Sequence, residues 1–97
     1  MIEVRRTAEF LDWLAGLRDV VGRARIAKRI DRVAQGNFGD HKSVGDGVSE
    51  LRFDFGPGYR VYYTERDGVV VVLLSGGDKD SQERDIERAK QMAKEIE

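Results

Sequence analysis

The sequence predicts a single α+β domain made of an N-terminal strand, a helical hairpin, a three-stranded antiparallel meander and a C-terminal helix. The prediction comes from changes in hydrophobic period. Apolar residues recur at helical spacing up to Gln35, alternate with period two from Glu50 to Thr64, and return to helical spacing after Ser81. A chain of 97 residues, 40 % hydrophobic and 36 % charged, allows one domain spanning 1–97, with a modest core and a heavily charged surface.

Ile2 to Val4 is a short strand candidate. Thr7 follows as an N-cap for a helix that starts at Ala8, on which Phe10, Trp13, Leu14 and Leu17 share one apolar face. Gly16 and Asp19 mark a break, and Asp19 caps a second helix running to about Gln35. On that helix Val20, Ala24, Ala27, Ile30 and Ala34 line one side, with Ile26 and Val33 extending it. Two helices joined this tightly read as a helical hairpin.

The stretch from Gly36 to Gly47 holds four glycines among Asn37, Asp40 and Asp46 and is expected to be a loop. Leu51, Phe53 and Phe55 then alternate with Glu50, Arg52 and Asp54. Gly56-Pro57-Gly58 turns the chain, and Tyr59 to Thr64 is the returning strand. Asp67-Gly68 makes a second hairpin turn. Val69 to Leu74 is apolar at every position, as a strand covered on both faces would be, and Ser75-Gly76-Gly77-Asp78 ends it. Ser81 to Ile96 is a charged helix with Ile86, Ala89, Ala93 and Ile96 as its apolar positions.

Composition narrows the chemistry. A net charge of −1 is not that of a general nucleic-acid binder, so any contact with RNA or DNA comes from a local patch. The charges are unevenly placed: eight Arg or Lys against five Asp or Glu up to Gln35, and five against seven from Asp78 onward. There is no cysteine, and His41 is the single histidine, so neither a disulfide framework nor a metal site is expected, nor any cofactor. The longest apolar run, Val69 to Leu74, is strand-sized, and Met1 to Arg6 lacks an apolar signal segment. The expectation is a cytoplasmic protein with no membrane partner.

The central hairpin is where chemistry is expected. Around a Gly56-Pro57-Gly58 loop, Phe55 pairs with Tyr59, Asp54 with Arg60, Phe53 with Val61 and Arg52 with Tyr62, and facing residues project from the same side. One face then carries Leu51, Phe53, Phe55, Tyr59, Val61 and Tyr63, which make core packed against Phe10 and Leu14. The other carries Glu50, Arg52, Asp54, Arg60, Tyr62 and Thr64. This second face is open to two readings. It is either a solvated outer face with an Asp54–Arg60 ion pair, or an anion site in which arginine forks grip phosphate and Tyr62 stacks on a base. On the second helix, Arg25, Lys28, Arg29 and Arg32 form a basic stripe, either simply solvated or docked on RNA. His41, beside Lys42, is an incidental loop histidine. Gly76-Gly77-Asp78-Lys79 lacks the spacing of a Walker phosphate loop.

Glu50-Leu51-Arg52, then Gly56-Pro57-Gly58-Tyr59-Arg60-Val61-Tyr62-Tyr63, then Gly76-Gly77-Asp78-Lys79 resemble the signature of phage-derived addiction-module killer proteins, a HigB-like branch of the RelE/ParE superfamily. Gly36-Asn37-Phe38-Gly39-Asp40 and Gln82, Asp85, Ile86 and Ala89 extend the resemblance over nearly the whole chain. It implies a type II toxin, a ribosome-dependent endoribonuclease that cleaves translated mRNA by metal-independent attack of a ribose 2′-hydroxyl on the neighbouring phosphate. It places Arg60 at the family's phosphate-contacting arginine, Lys79 at a basic position after the last strand, and Arg52 at a basic position one strand earlier. The C-terminal tyrosine of some RelE-type members and the histidine pair of other HigB-like toxins have no counterpart here. Glu50, Tyr62 and Lys79 are left as the groups available for proton transfer. RNA contacts are expected from Arg60, Tyr62, Lys79, Arg25 and Arg29. The implied partners are the ribosome with its message, and a cognate antitoxin, a small helix-turn-helix protein forming a hetero-oligomer with the toxin. The superfamily also contains members that poison DNA gyrase, so a non-enzymatic gyrase inhibitor is the alternative.

Overall fold

The computed structural model describes residues 1–96. Its elements are β1 (Glu3–Arg6), α1 (Ala8–Gly16), α2 (Val20–Ala34), β2 (His41–Gly45), β3 (Val48–Arg52), β4 (Arg60–Arg66), β5 (Val70–Gly77) and α3 (Gln82–Glu95). They build a five-stranded sheet in the order β1-β5-β4-β3-β2. β1 runs parallel to β5 and the other neighbours are antiparallel.

Capping fixes where the first two helices start. The Thr7 hydroxyl accepts the Phe10 amide at 3.1 Å and donates to the Leu74 carbonyl at 2.8 Å, joining the start of α1 to β5. The Asp19 carboxylate accepts the Gly22 amide at 2.8 Å and starts α2. Both helices lie on one sheet face, where Phe10, Ile26, Ile30 and Val33 pack against Leu51, Phe53, Val61, Val71 and Leu73. The other face is covered by α3, whose Ala89, Met92 and Ala93 sit on Val48, Tyr62, Val72 and Leu74. β5 therefore contributes alternate residues to two cores, as its unbroken apolar run predicts.

The structure corrects the sequence expectations in four places. Residues 41–45 are a strand rather than loop, so the meander has four strands; Asp46 and Gly47, with φ of 54° and 78°, form the tight turn between β2 and β3. The central hairpin is shifted by two residues: Arg52 faces Arg60 and Leu51 faces Val61. β3 ends at Arg52, and the Phe53 amide donates to the Tyr59 carbonyl across a wider loop. A shift of two preserves the faces, so Phe53 and Val61 still point into the core with Phe10 and Leu14. At Glu50 and Tyr62 the second sheet face is not solvated, because α3 lies on it. Finally, α2 is rotated from its expected orientation. Gly22, Ile26, Ile30 and Val33 are buried, while Val20 is 65 % exposed and Ala24 and Ala27 face out. The Tyr59 ring packs so closely on Gly22 that a Cβ there would sit 3.1 Å from it, which sets the helix on its glycine side.

Candidate active site at the β3–β4 loop

Arg60 opens β4 and Lys79 follows β5, so the sheet brings both to the same end, beside Gly56-Pro57-Gly58. The Lys79 amide donates to the Pro57 carbonyl at 3.4 Å, and Gly58 lies against the Lys79 side chain. Arg60, Lys79, Asp54 and Asp80 line an open groove floored by Phe53 and the glycine turn. Two cations and two carboxylates thus share one solvent-accessible wall. Such a site can grip a phosphodiester and exchange protons with it.

Behind the groove lies a buried polar row. Glu50, Tyr62 and Ser75 are neighbours across β3, β4 and β5. Glu50 is 2 % exposed and Tyr62 fully buried. The Gln82 amide donates to Glu50 Oε1 at 2.9 Å, and Arg60 Nε lies 3.9 Å from the same oxygen. Arg60 Nη1 donates to the Gly58 and Tyr59 carbonyls at 3.0 and 3.2 Å. The guanidinium is therefore held from two sides, with its side chain 13 % exposed. Arg60 Nε, the Tyr62 hydroxyl and the Ser75 hydroxyl have no hydrogen-bond partner among the described residues. Burial, with Glu50 and Asp85 nearby, pushes the Tyr62 phenol well above its usual range.

The expected site residues divide accordingly. Arg60 and Lys79 come together at the groove. Glu50 stands behind Arg60 and cannot meet a ligand with α3 in place. Tyr62 lies under α3 and presents no face to a base, which corrects its placement on a wet surface. The expected Asp54–Arg60 pair does not form; the carboxylate beside Arg60 is Glu50. Arg52 is drawn away to Asp40, whose Oδ1 accepts from its Nη2 at 2.9 Å. That hydrogen bond lowers the Asp40 pKa and raises that of Arg52. Arg29 is a strut: its guanidinium donates to the carbonyls of Phe38, Arg52 and Asp40, and burial lowers its pKa. Arg25 is exposed, its guanidinium 3.8 Å above the Phe55 ring. His41, on β2, directs Nδ1 to the Gly39 carbonyl at 2.8 Å, away from the groove.

Gln82 and Asp40 are the contacts that residue-by-residue reasoning leaves without a role. The resemblance marks both positions, but their partners become visible only when α3 and the 37–40 segment are placed. Among the described residues no group of acidic or histidine side chains could hold a metal ion. Among the described residues no helix is long and apolar enough to cross a membrane.

Comparison with known proteins agrees with this architecture. An uncharacterized protein of Haemophilus influenzae is 50 % identical over 95 residues, covering 98 % of this chain and 96 % of its own. A free-state structure of an arginine-substituted mutant of the E. coli toxin RelE superposes with a TM-score of 0.71 at 22 % identity, over 93 % of this chain and 96 % of RelE. The fold is thus that of RelE. Residues 12–95, which include the groove, the buried row and all of α3, match the family described as phage derived protein Gp49-like, and the chain belongs to that family.

Proposed function

We propose that the chain is the toxin of a type II toxin–antitoxin pair and acts as an endoribonuclease on translated mRNA, in the cytoplasm where ribosomes work. The observation that carries this reading is the meeting of Arg60 and Lys79 on one groove, with the Arg60 guanidinium held in place by Glu50 and two backbone carbonyls. In the reaction the 2′-oxygen attacks the adjacent phosphorus as its proton leaves, the bond to the 5′-oxygen breaks, and a proton is delivered to that oxygen. Arg60 meets the added negative charge on the phosphate, and the Lys79 ammonium supplies charge and the leaving-group proton. Asp54 and Asp80 are the carboxylates on the groove wall able to take the 2′-hydroxyl proton. This is a HigB-like role, and no metal or cofactor enters it.

Two partners follow: the ribosome that presents the message, and a small helix-turn-helix antitoxin that forms a hetero-oligomer with the toxin. Inducing the chain should arrest growth, and co-expressing the antitoxin encoded beside it should restore growth and give a complex that co-purifies. Growth unaffected by either step would remove the toxin reading.

The second reading is a non-enzymatic toxin that binds DNA gyrase. It is favoured by the commitment of Arg60 Nη1 to two carbonyls, which leaves less of the fork for a phosphate. Growth arrest with stalled gyrase–DNA complexes and intact messages would establish it instead.

A further inference from the structure

A second cationic surface adjoins the groove. Arg25, Lys28 and Arg32 lie along α2 at helical steps of three and four, a run of about 10 Å along the axis. They face Phe53, Asp54 and Phe55 across an open cleft of about 310 Å³. Phe53 and Asp54 also line the Arg60–Lys79 groove, so the two concavities meet at the β3–β4 loop. Arg25, Lys28 and Arg32 are exposed, and among the described residues none of them pairs with a carboxylate. Arg29, between them, is fully engaged by backbone carbonyls and braces α2 against the 38–40 segment and Arg52. Stacking on Phe55 orients the Arg25 guanidinium over an aromatic plane.

We propose that Arg25, Lys28 and Arg32 are a sequence-independent grip for the phosphate backbone of single-stranded RNA, continuous with the Arg60–Lys79 groove. The identity of the strand as RNA rests on the endoribonuclease reading; the grip itself rests on the charge and shape of the cleft. Three unpaired cations on one helix face of a chain with net charge −1 concentrate positive potential where a polyanion would lie. Phosphate contacts carry no sequence information, and the two aromatic rings of the cleft can stack on any base. They therefore hold the strand while the Arg60–Lys79 groove acts on it.

The test is equilibrium binding of a short unstructured RNA made uncleavable by 2′-O-methylation. It is measured over a salt series for the parent chain and for the triple variant Arg25→Gln, Lys28→Gln, Arg32→Gln. All three side chains are exposed, and thermal melting checks that the variant is folded. The parent should bind. The variant should bind at least about tenfold more weakly, and its salt dependence should fall by about 2 in the slope of log K against log salt, the loss expected for three single-strand phosphate contacts. Equal affinity and slope for parent and folded variant would overturn the proposal, as would a parent that does not bind RNA or a variant that co-purifies less antitoxin with RNA binding unchanged. Cleavage is absent from this assay by design. A chain that grips RNA through α2 but leaves messages intact would refute the endoribonuclease reading alone.

Discussion

Arg60 Nε stands 3.9 Å from Glu50 Oε1, and the side chains are 13 % and 2 % exposed. The distance is that of an ion contact and not of a hydrogen bond, and Glu50 is completed by Gln82 from the helix above. Arg60 is therefore a largely buried group whose carboxylate neighbour is held by α3 through Gln82. Removing Arg60 leaves a buried carboxylate short of its counter-charge, so Arg60→Ala disturbs the fold as well as the groove.

Glu50→Ala should lower stability by about 3 kcal/mol, the lower end of the range for one-sided loss of a buried pair, because Arg60 keeps some access to water. Arg60→Ala should also destabilise. The double variant should cost less than the two single losses added together, since neither charge is then left alone. Urea denaturation of the parent and the three variants measures all four terms.

Tyr62→Phe should leave growth inhibition intact and stabilise the protein by about 1–2 kcal/mol, because it removes a buried hydroxyl that has no partner among the described residues. Burial raises the phenol pKa in the folded state, so above the unfolded value of about 10 the unfolded chain loses this proton while the folded one keeps it, and stability falls as pH rises toward the folded value. The parent should lose stability above about pH 10 more steeply than Tyr62→Phe. Denaturation midpoints of the two proteins on either side of that pH give the comparison.

Gly76→Ala should destabilise by about 1–3 kcal/mol through overpacking. A Cβ at Gly76 would lie 2.3 Å from the Trp13 ring, which rests against Phe10 and Tyr59 and has little room to move. A thermal melt unchanged from the parent would mean that α1 slides on β5 more freely than this contact allows.

Much of the fold is legible in the sequence because its signals are local. Thr7 and Asp19 cap the helices they are expected to cap, and the period-two pattern assigns Phe53 and Val61 to the core. β2 is missed because His41, Lys42 and Ser43 are polar and exposed on an edge strand, with no apolar alternation to mark it. The informative signal there is Asp46-Gly47, the same turn dipeptide as Asp67-Gly68, with Asp46 and Asp67 at φ of 54° and 57°. The hairpin register slips by two because the glycine turn sits inside a longer loop, and parity cannot separate a shift of two from none. The site is harder to read. Nothing in the alternation of Glu50, Arg52, Arg60 and Tyr62 reveals that α3, apolar at a few small positions, covers Glu50 and Tyr62 but leaves Lys79 outside. Nor does it show that Asp40 takes Arg52 away from the groove.

Lys79 gives the cleanest access to the central claim, because its exposed side chain can be removed without opening the core. The decisive measurement is mapping of new 5′ ends in cellular messages after induction of the parent chain and of Lys79→Ala, with folding of both checked by circular dichroism. The parent should produce new ends inside translated regions, and folded Lys79→Ala should lower their yield by about 10²-fold, as expected for loss of a group that stabilises transition-state charge. Equal yields from the two proteins, or growth arrest by the parent without new ends, would contradict the account.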